Sequence, residues 1–236
     1  DPTARIQAIG LDSAGRWQYR YSAEHVEEMA RIKFDRIKSF ERDISAIRRA
    51  IDDGIADGDP RAYLARLEDK TAIRAGSMSD FKAKQKAYGI TTLKNEHILI
   101  DGDVITLDFV AKEGIPAHYE LKDKVLADWL KARKALLSSP DDFMFPDVSA
   151  SKLNAFIREC AGGKEYSIKD FRTLHGTIIA REELMKYAGQ TLTDKEKKKI
   201  VKEVCEIVSN MLKNTPTMAK TSYIDPMVWE IIGGLP

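Results

Sequence analysis

Apolar residues recur at spacings of three and four through most of this chain, and the pattern lapses over two short stretches, 5–21 and 90–121. A period of 3.6 residues buries one stripe of a helix, whereas alternation buries one face of a strand. The lapses confine β-structure to one hairpin and one small meander. The class this predicts is mainly α with a small antiparallel β-sheet.

The hairpin runs Ile6-Gln-Ala-Ile-Gly-Leu, a turn at Asp12-Ser-Ala-Gly, then Arg16-Trp-Gln-Tyr-Arg-Tyr, with Trp17, Tyr19 and Tyr21 alternating against polar neighbours. A lone hairpin is marginal in water, so this one leans on something else. The meander is predicted from Ile90-Thr-Thr-Leu, His97-Ile-Leu-Ile, Val104 to Val110 and Ala117 to Leu121, with turns at Asp101-Gly-Asp and Lys112-Glu-Gly. Helices are expected from Ser22 to about Asp53 and from Arg61 to about Ile73, with a Gly- and Asp-rich loop over 54–60 between them. Further helices are expected over about 123–137, 149–161, 167–188, 194–213, 215–223 and 226–233. Thr215-Pro216 is a helix start: Thr as N-cap and Pro at the first helical position.

With 236 residues, 43% hydrophobic and 32% charged, the composition is that of a globular chain. No apolar run approaches the ~20 residues of a membrane span. The chain opens Asp1-Pro-Thr-Ala-Arg with no initiating Met, as a fragment would. Cys160 and Cys205 are far apart in helical patterns and read as buried free thiols, which points to a reducing compartment. The four histidines are scattered, so no metal site or other cofactor is expected. Net charge is +1, so any binding of a polyanion must rest on local cations.

Such cations occur in a suggestive set. Arg74 follows a helix beside Gly76, and Lys112 sits at a hairpin tip. Lys169 and Arg172 lie one turn apart, and Asn214 and Tyr223 flank the last capped helix. Each alone is unremarkable, since an arginine on a helix is usually solvated or paired. A tyrosine is quiet too unless something stabilises its oxygen anion, the phenol pKa being ~10. Together they are the residue types a phosphodiester reaction needs: a nucleophile, forked cations for phosphoryl oxygens, and a proton donor.

Ile73-Arg-Ala-Gly, Gly89-Ile-Thr-Thr-Leu-Lys-Asn-Glu-His-Ile, Phe109-Val-Ala-Lys-Glu-Gly, Lys169-Asp-Phe-Arg-Thr and Thr221-Ser-Tyr-Ile-Asp-Pro occur in this order over nearly the whole chain. In them the chain resembles type IB DNA topoisomerases, in the compact poxvirus-like form. The resemblance implies the catalytic-domain fold shared by those enzymes and the tyrosine recombinases. It implies a catalytic domain over 22–236 and, over 1–21, the remnant hairpin of an N-terminal DNA-clamp β-domain. The implied activity is relaxation of supercoiled duplex DNA through a 3′-phosphotyrosyl intermediate and religation, without ATP or metal. By the same resemblance Tyr223 is the nucleophile, Arg74 and Arg172 hold the phosphoryl oxygens, Lys112 is the general acid and Asn214 assists. Position 214 is His in poxviral members; Asn donates a hydrogen bond but does not titrate.

Lys169, Ser149, Gln18, Tyr19 and Tyr21 match DNA-contacting positions, although Ser149 serves equally well as a helix cap. His175 has no role in the family and reads as helix packing or proximity to the DNA backbone. Gly76-Ser-Met-Ser-Asp80 lacks the Lys and Tyr that read the poxviral cleavage site, so that preference does not transfer. The resemblance further implies side chains scattered until DNA arrives, Lys112 above all. The expected partner is duplex DNA, the expected state a monomer with no membrane association, and the expected compartment that of the DNA (the cytoplasm and its nucleoid in a bacterium). Two other readings are a tyrosine recombinase, which usually carries His where this chain has Lys169, and a DNA-binding fragment with little activity.

Overall fold

The computed structural model describes residues 4–12, 15, 17–82 and 86–235. They fall into two compact units, Asp1–Arg42 and Asp43–Pro236, and helix α1 (Ala23–Ala56) runs through the boundary. In the first unit β1 (Ile6–Leu11) pairs antiparallel with β2 (Trp17–Tyr21), Ile9 opposite Tyr19 and Leu11 opposite Trp17. Of the expected hairpin, Ser13, Ala14 and Arg16 lie outside the described residues. The Gly15 N–H donates to the Asp12 carbonyl at 2.9 Å, which fits the predicted turn. Alternation puts Tyr19 and Tyr21 on one face, their rings stacked 6.3 Å apart. The Ser22 hydroxyl accepts the His25 N–H and opens α1.

The predicted loop over 54–60 is shorter than expected, because α1 continues through Gly54 to Ala56. That glycine serves packing rather than a turn: a Cβ there would lie 3.0 Å from the Ala62 Cβ and 3.1 Å from the Phe156 ring. Asp59 then caps α2 (Pro60–Thr71), accepting the Arg61 N–H at 2.8 Å.

Helix α2 is the hub of the second unit. It contacts β5 (Pro116–Lys122), α4 (Lys124–Lys134), α5 (Ala150–Cys160) and α6 (Ile168–Met185). Surrounded in this way, it buries Ala62, Leu64, Ala65, Leu67, Glu68 and Thr71, more than a single apolar stripe.

The sheet has the order β3-β4-β5, antiparallel throughout, with β3 at Ile98–Asp101 and β4 at Val104–Val110. The run at Ile90–Thr92 is not a strand, contrary to its β-type composition. Its N–H groups are engaged elsewhere: Ile90 donates to the Arg74 carbonyl at 2.8 Å and Thr91 to the Ala75 carbonyl at 2.9 Å, and the run coils into a 3₁₀ turn. A five-residue helix, α3 (Met78–Lys82), was not foreseen. The last helices are α7 (Asp194–Leu212) and α8 (Pro216–Ser222), followed by a 3₁₀ helix at Pro226–Ile232. With α6 they enclose a core that includes Ala180, Leu184, Val204, Val208, Leu212, Ile224 and Trp229. Each buried Val, Leu or Ile side chain contributes about 1.5–3 kcal/mol. Cys205 is buried and Cys160 half-buried, both as free thiols. Among the described residues no helix is long and apolar enough to cross a membrane.

Candidate active site

The end of α2 sets the first cation. Ala72 takes a left-handed conformation (φ +53°) and closes the helix by donating its N–H to the Glu68 carbonyl. The chain then passes through Arg74 and Ala75, whose carbonyls accept the Ile90 and Thr91 N–H groups. Gly76 and Gly89 make this fit. A Cβ on Gly89 would lie 2.5 Å from the Gly76 backbone, and one on Gly76 would lie 2.8 Å from the Gly89 Cα. The Ile73-Arg-Ala-Gly motif therefore couples Arg74 to the glycine that lets this segment be gripped.

Arg172 projects from α6, one turn after the start set by the Ser167/Asp170 capping box. It is 2% exposed. One terminal nitrogen donates to the Ala72 carbonyl and the other to the Leu212 carbonyl at 2.9 Å. Ala72 caps α2 and Leu212 ends α7, so both acceptors are helix-terminal carbonyls that carry partial negative charge. Three helices are tied together on one guanidinium, and no full negative charge is spent to do it.

Tyr223 closes α8, its N–H bonded to the Ala219 carbonyl at 3.0 Å. Thr215 and Pro216 open that helix as expected, the Thr215 hydroxyl accepting the Met218 N–H at 3.2 Å. The ring is 2% exposed. Its backbone lies directly on α6, where a Cβ at Gly176 would sit 2.7 Å from the Tyr223 carbonyl oxygen. The Thr177 hydroxyl donates to that same carbonyl at 3.3 Å and accepts the Asp225 N–H at 3.1 Å. Neither Gly176 nor Thr177 was identified from sequence. The one available signal is a glycine inside a helix, which costs about 1 kcal/mol and so implies close packing.

These parts meet in a cleft of about 420 Å³ lined by Arg74, Lys112, Lys169, Arg172 and Tyr223, with Gly76, Tyr88, Asn154 and Ser167 among the other lining residues. The Arg172 guanidinium carbon lies 5.1 Å from the Tyr223 ring centroid and the Lys169 ammonium 6.0 Å. Burial raises the Tyr223 phenol, but the charges of Arg172 and Arg74 outweigh it, and the net shift is below the ordinary tyrosine value. The site thus favours an anion on or beside the phenolic oxygen. Lys112 reaches the cleft from the tight turn Lys112–Gly114 between β4 and β5, where Glu113 and Gly114 take positive φ. Lys112 and Tyr223 line the same cleft.

Other expected residues lie elsewhere. Asn214 is not among the cleft-lining residues. It follows α7 by two residues, and its side-chain nitrogen and oxygen are buried without a hydrogen-bond partner among the described residues. Ser149 is engaged as a cap, accepting the Lys152 N–H at 3.2 Å at the start of α5. Gln18, Tyr19 and Tyr21 belong to the first unit, where Gln18 donates to Asp12 at 3.0 Å. His175 places its Nε2 3.2 Å from Asp69. Asn154, which sequence reasoning missed, lines the cleft while its Oδ1 accepts the Ile168 N–H at the start of α6.

A family model described as the catalytic core of eukaryotic DNA topoisomerase I matches residues 22–228. The chain is 29% identical over 248 residues to DNA topoisomerase 1B of Acanthamoeba polyphaga mimivirus, spanning 95% of this chain and 71% of that relative. It is 26% identical over 236 residues to DNA topoisomerase 1B of Vaccinia virus (strain Copenhagen), at 97% and 73% coverage. The same figures hold for DNA topoisomerase I of Monkeypox virus.

Proposed function

The chain belongs to the family of the DNA topoisomerase I catalytic core, and on that premise we propose that it is a type IB enzyme relaxing duplex DNA, with Tyr223 as nucleophile. The observation that carries the reading is the convergence of Arg74, Lys112, Lys169 and Arg172 on one cleft with the phenol of Tyr223.

In this mechanism the phenolic oxygen attacks a phosphodiester phosphorus and forms a 3′-phosphotyrosyl bond as the bond to the 5′-oxygen breaks. Negative charge grows on the phosphoryl oxygens. A guanidinium has five N–H groups, and Arg172 uses two of them on carbonyls. Those left on its terminal nitrogens, together with Arg74, are donors for the phosphoryl oxygens. One such preorganised donor is worth roughly 3–4 kcal/mol of barrier. Lys112 protonates the departing 5′-oxygen, and its mount on a hairpin turn lets it reach the leaving group. Lys169 adds charge to the same wall. Asn214 is assigned electrostatic support only, for its amide cannot carry a proton between groups. Ser149, Gln18, Tyr19 and Tyr21 are assigned to the DNA backbone.

Religation reverses these steps. The covalent bond conserves the phosphodiester energy, so the cycle draws on no ATP, and fixed cations fill the role that metal ions take in other phosphoryl-transfer sites. The partner is duplex DNA and the working unit a monomer. The domain assignment follows the same reading: 1–21 belongs to a DNA clamp and 22–236 to the catalytic domain.

Relaxation of a supercoiled plasmid in EDTA without ATP tests this. Wild type is expected to give a ladder of relaxed topoisomers, and Tyr223→Phe to give none while still binding duplex DNA. Binding without relaxation by wild type would support the DNA-binding reading instead.

A further inference from the structure

Glu68 stands out because the mechanism above leaves it unused. It lies in the last turn of α2, six residues before Arg74, and is 0% exposed. Neither of its carboxyl oxygens has a hydrogen-bond partner among the described residues. The neighbouring carboxyls are engaged. Asp69 is bound by Arg48 at 2.7 and 2.9 Å and faces His175, while Asp170 accepts from the Ser167 N–H at 2.8 Å and hydroxyl at 3.0 Å.

The groups that act on Glu68 electrostatically are Arg172 and Asp170 on α6, Asp69 on α2 and Tyr119 on β5. The Arg172 Nε is itself buried and unpaired. A carboxylate in this position would have lost its water and gained no donor; burial outweighs the opposing charge of Arg172 and holds the Glu68 carboxyl well above the usual carboxylate range. Burial likewise pushes the Tyr119 phenol up to about 12, so that neighbour is uncharged too.

We propose that Glu68 is a positioning residue for Arg172. It lies one turn of α2 before Ala72, whose carbonyl accepts from Arg172, and its ionisation, by capturing the Arg172 Nε–H and cancelling its charge, sets the alkaline limit of strand cleavage. While Glu68 is uncharged, the helix-end carbonyls of Ala72 and Leu212 hold Arg172, and the donors left on its terminal nitrogens serve the cleft that it lines. Once ionised, Glu68 is a full negative charge with two unpaired oxygens, and the Arg172 Nε–H is the unpaired donor it draws. The guanidinium turns toward it, and the phosphoryl oxygens lose both charge and hydrogen bonds. This inference rests on the topoisomerase reading of the cleft.

The test measures single-turnover adduct formation on a suicide duplex from pH 6 to 10 for wild type, Glu68→Gln and Glu68→Ala. Wild type is expected to lose rate at the alkaline end, approaching tenfold per pH unit as one proton leaves. Glu68→Gln, an uncharged isostere, should lack that decline and recover most of the rate that Glu68→Ala loses at pH 7. The idea is overturned by a wild-type rate with no alkaline decline, by a Gln variant that follows the wild-type curve, or by a folded Gln variant as impaired at pH 7 as Ala.

Carbon-13 NMR of Glu-labelled Tyr223→Phe protein supplies an arm independent of activity, with the Glu68 resonance assigned by its absence from the Gln double variant. An uncharged carboxyl shift at pH 7 supports the proposal and an ionised one overturns it. If wild type forms no adduct at all, the topoisomerase reading falls, whereas the carboxyl titration still decides the state of Glu68.

Discussion

Two side chains with almost no exposure, Arg172 and Tyr223, carry the proposed chemistry, and each is positioned by groups that do not themselves react. Replacing Arg172 by Lys gives up the planar fork, because one ammonium cannot span the Ala72 and Leu212 carbonyls and still present paired donors. We expect Arg172→Lys to slow cleavage by about 10²–10³-fold, measured as single-turnover adduct formation.

A second residue-scale prediction concerns Asp69. Burial raises its carboxyl, but hydrogen bonds from His175 and Arg48 and their charges bring it down to about 2. A depressed carboxyl contributes stability above its unfolded value of 3.8, and that contribution is lost as pH falls through about 2. Urea unfolding of Asp69→Asn at pH 7 should show a loss on the order of 1–2 kcal/mol, discounted because Arg48 is half-exposed, and the difference from wild type should vanish near pH 2. Arg74, Lys112, Arg172 and Tyr223 stood out in the sequence because the proposed chemistry fixes residue type and flanking motif together, and all four line one cleft. Glu68 did not, since Leu-Glu-Asp-Lys reads as an ordinary solvated turn of helix until the surrounding elements close over it.

At the level of elements, the site depends on places where two backbones touch. Gly176 admits the Tyr223 segment onto α6, and Gly76 and Gly89 admit each other. Gly176→Ala would force the Tyr223 carbonyl away from a new methyl group. We expect it to destabilise the fold by roughly 1–3 kcal/mol by thermal unfolding and to slow cleavage at temperatures where the protein remains folded. Most helices were legible, and the caps at Ser22 and Thr215 lie where their sequences put them. The 90–93 run was not, because β-type residues describe a half-buried surface and not a pairing partner. The carbonyls of Arg74 and Ala75, far away in sequence, took its N–H groups. Asn214 was placed in the site by motif alone, and its position after α7 is set by the junction with α8.

For the whole molecule, a net charge of +1 makes binding to a polyanion depend on where the cations stand. A Lys169→Ala change should therefore weaken duplex binding and reduce the slope of log affinity against log salt by about one, measured by fluorescence anisotropy. The overall class was legible because helical periodicity and its two lapses are global properties of the pattern. The convergence of four distant segments on one cleft was inferred from resemblance and is met by the geometry of residues 74, 112, 172 and 223. The central claim is that a phenolic oxygen takes over a DNA strand end at that cleft. The most direct test is to trap the adduct from a suicide duplex in denaturant, digest it and locate the nucleotide by mass spectrometry. The account predicts a 3′-phosphoryl nucleotide on the peptide carrying Tyr223 and no adduct from Tyr223→Phe; an adduct on another residue, or one undiminished in that variant, would contradict it.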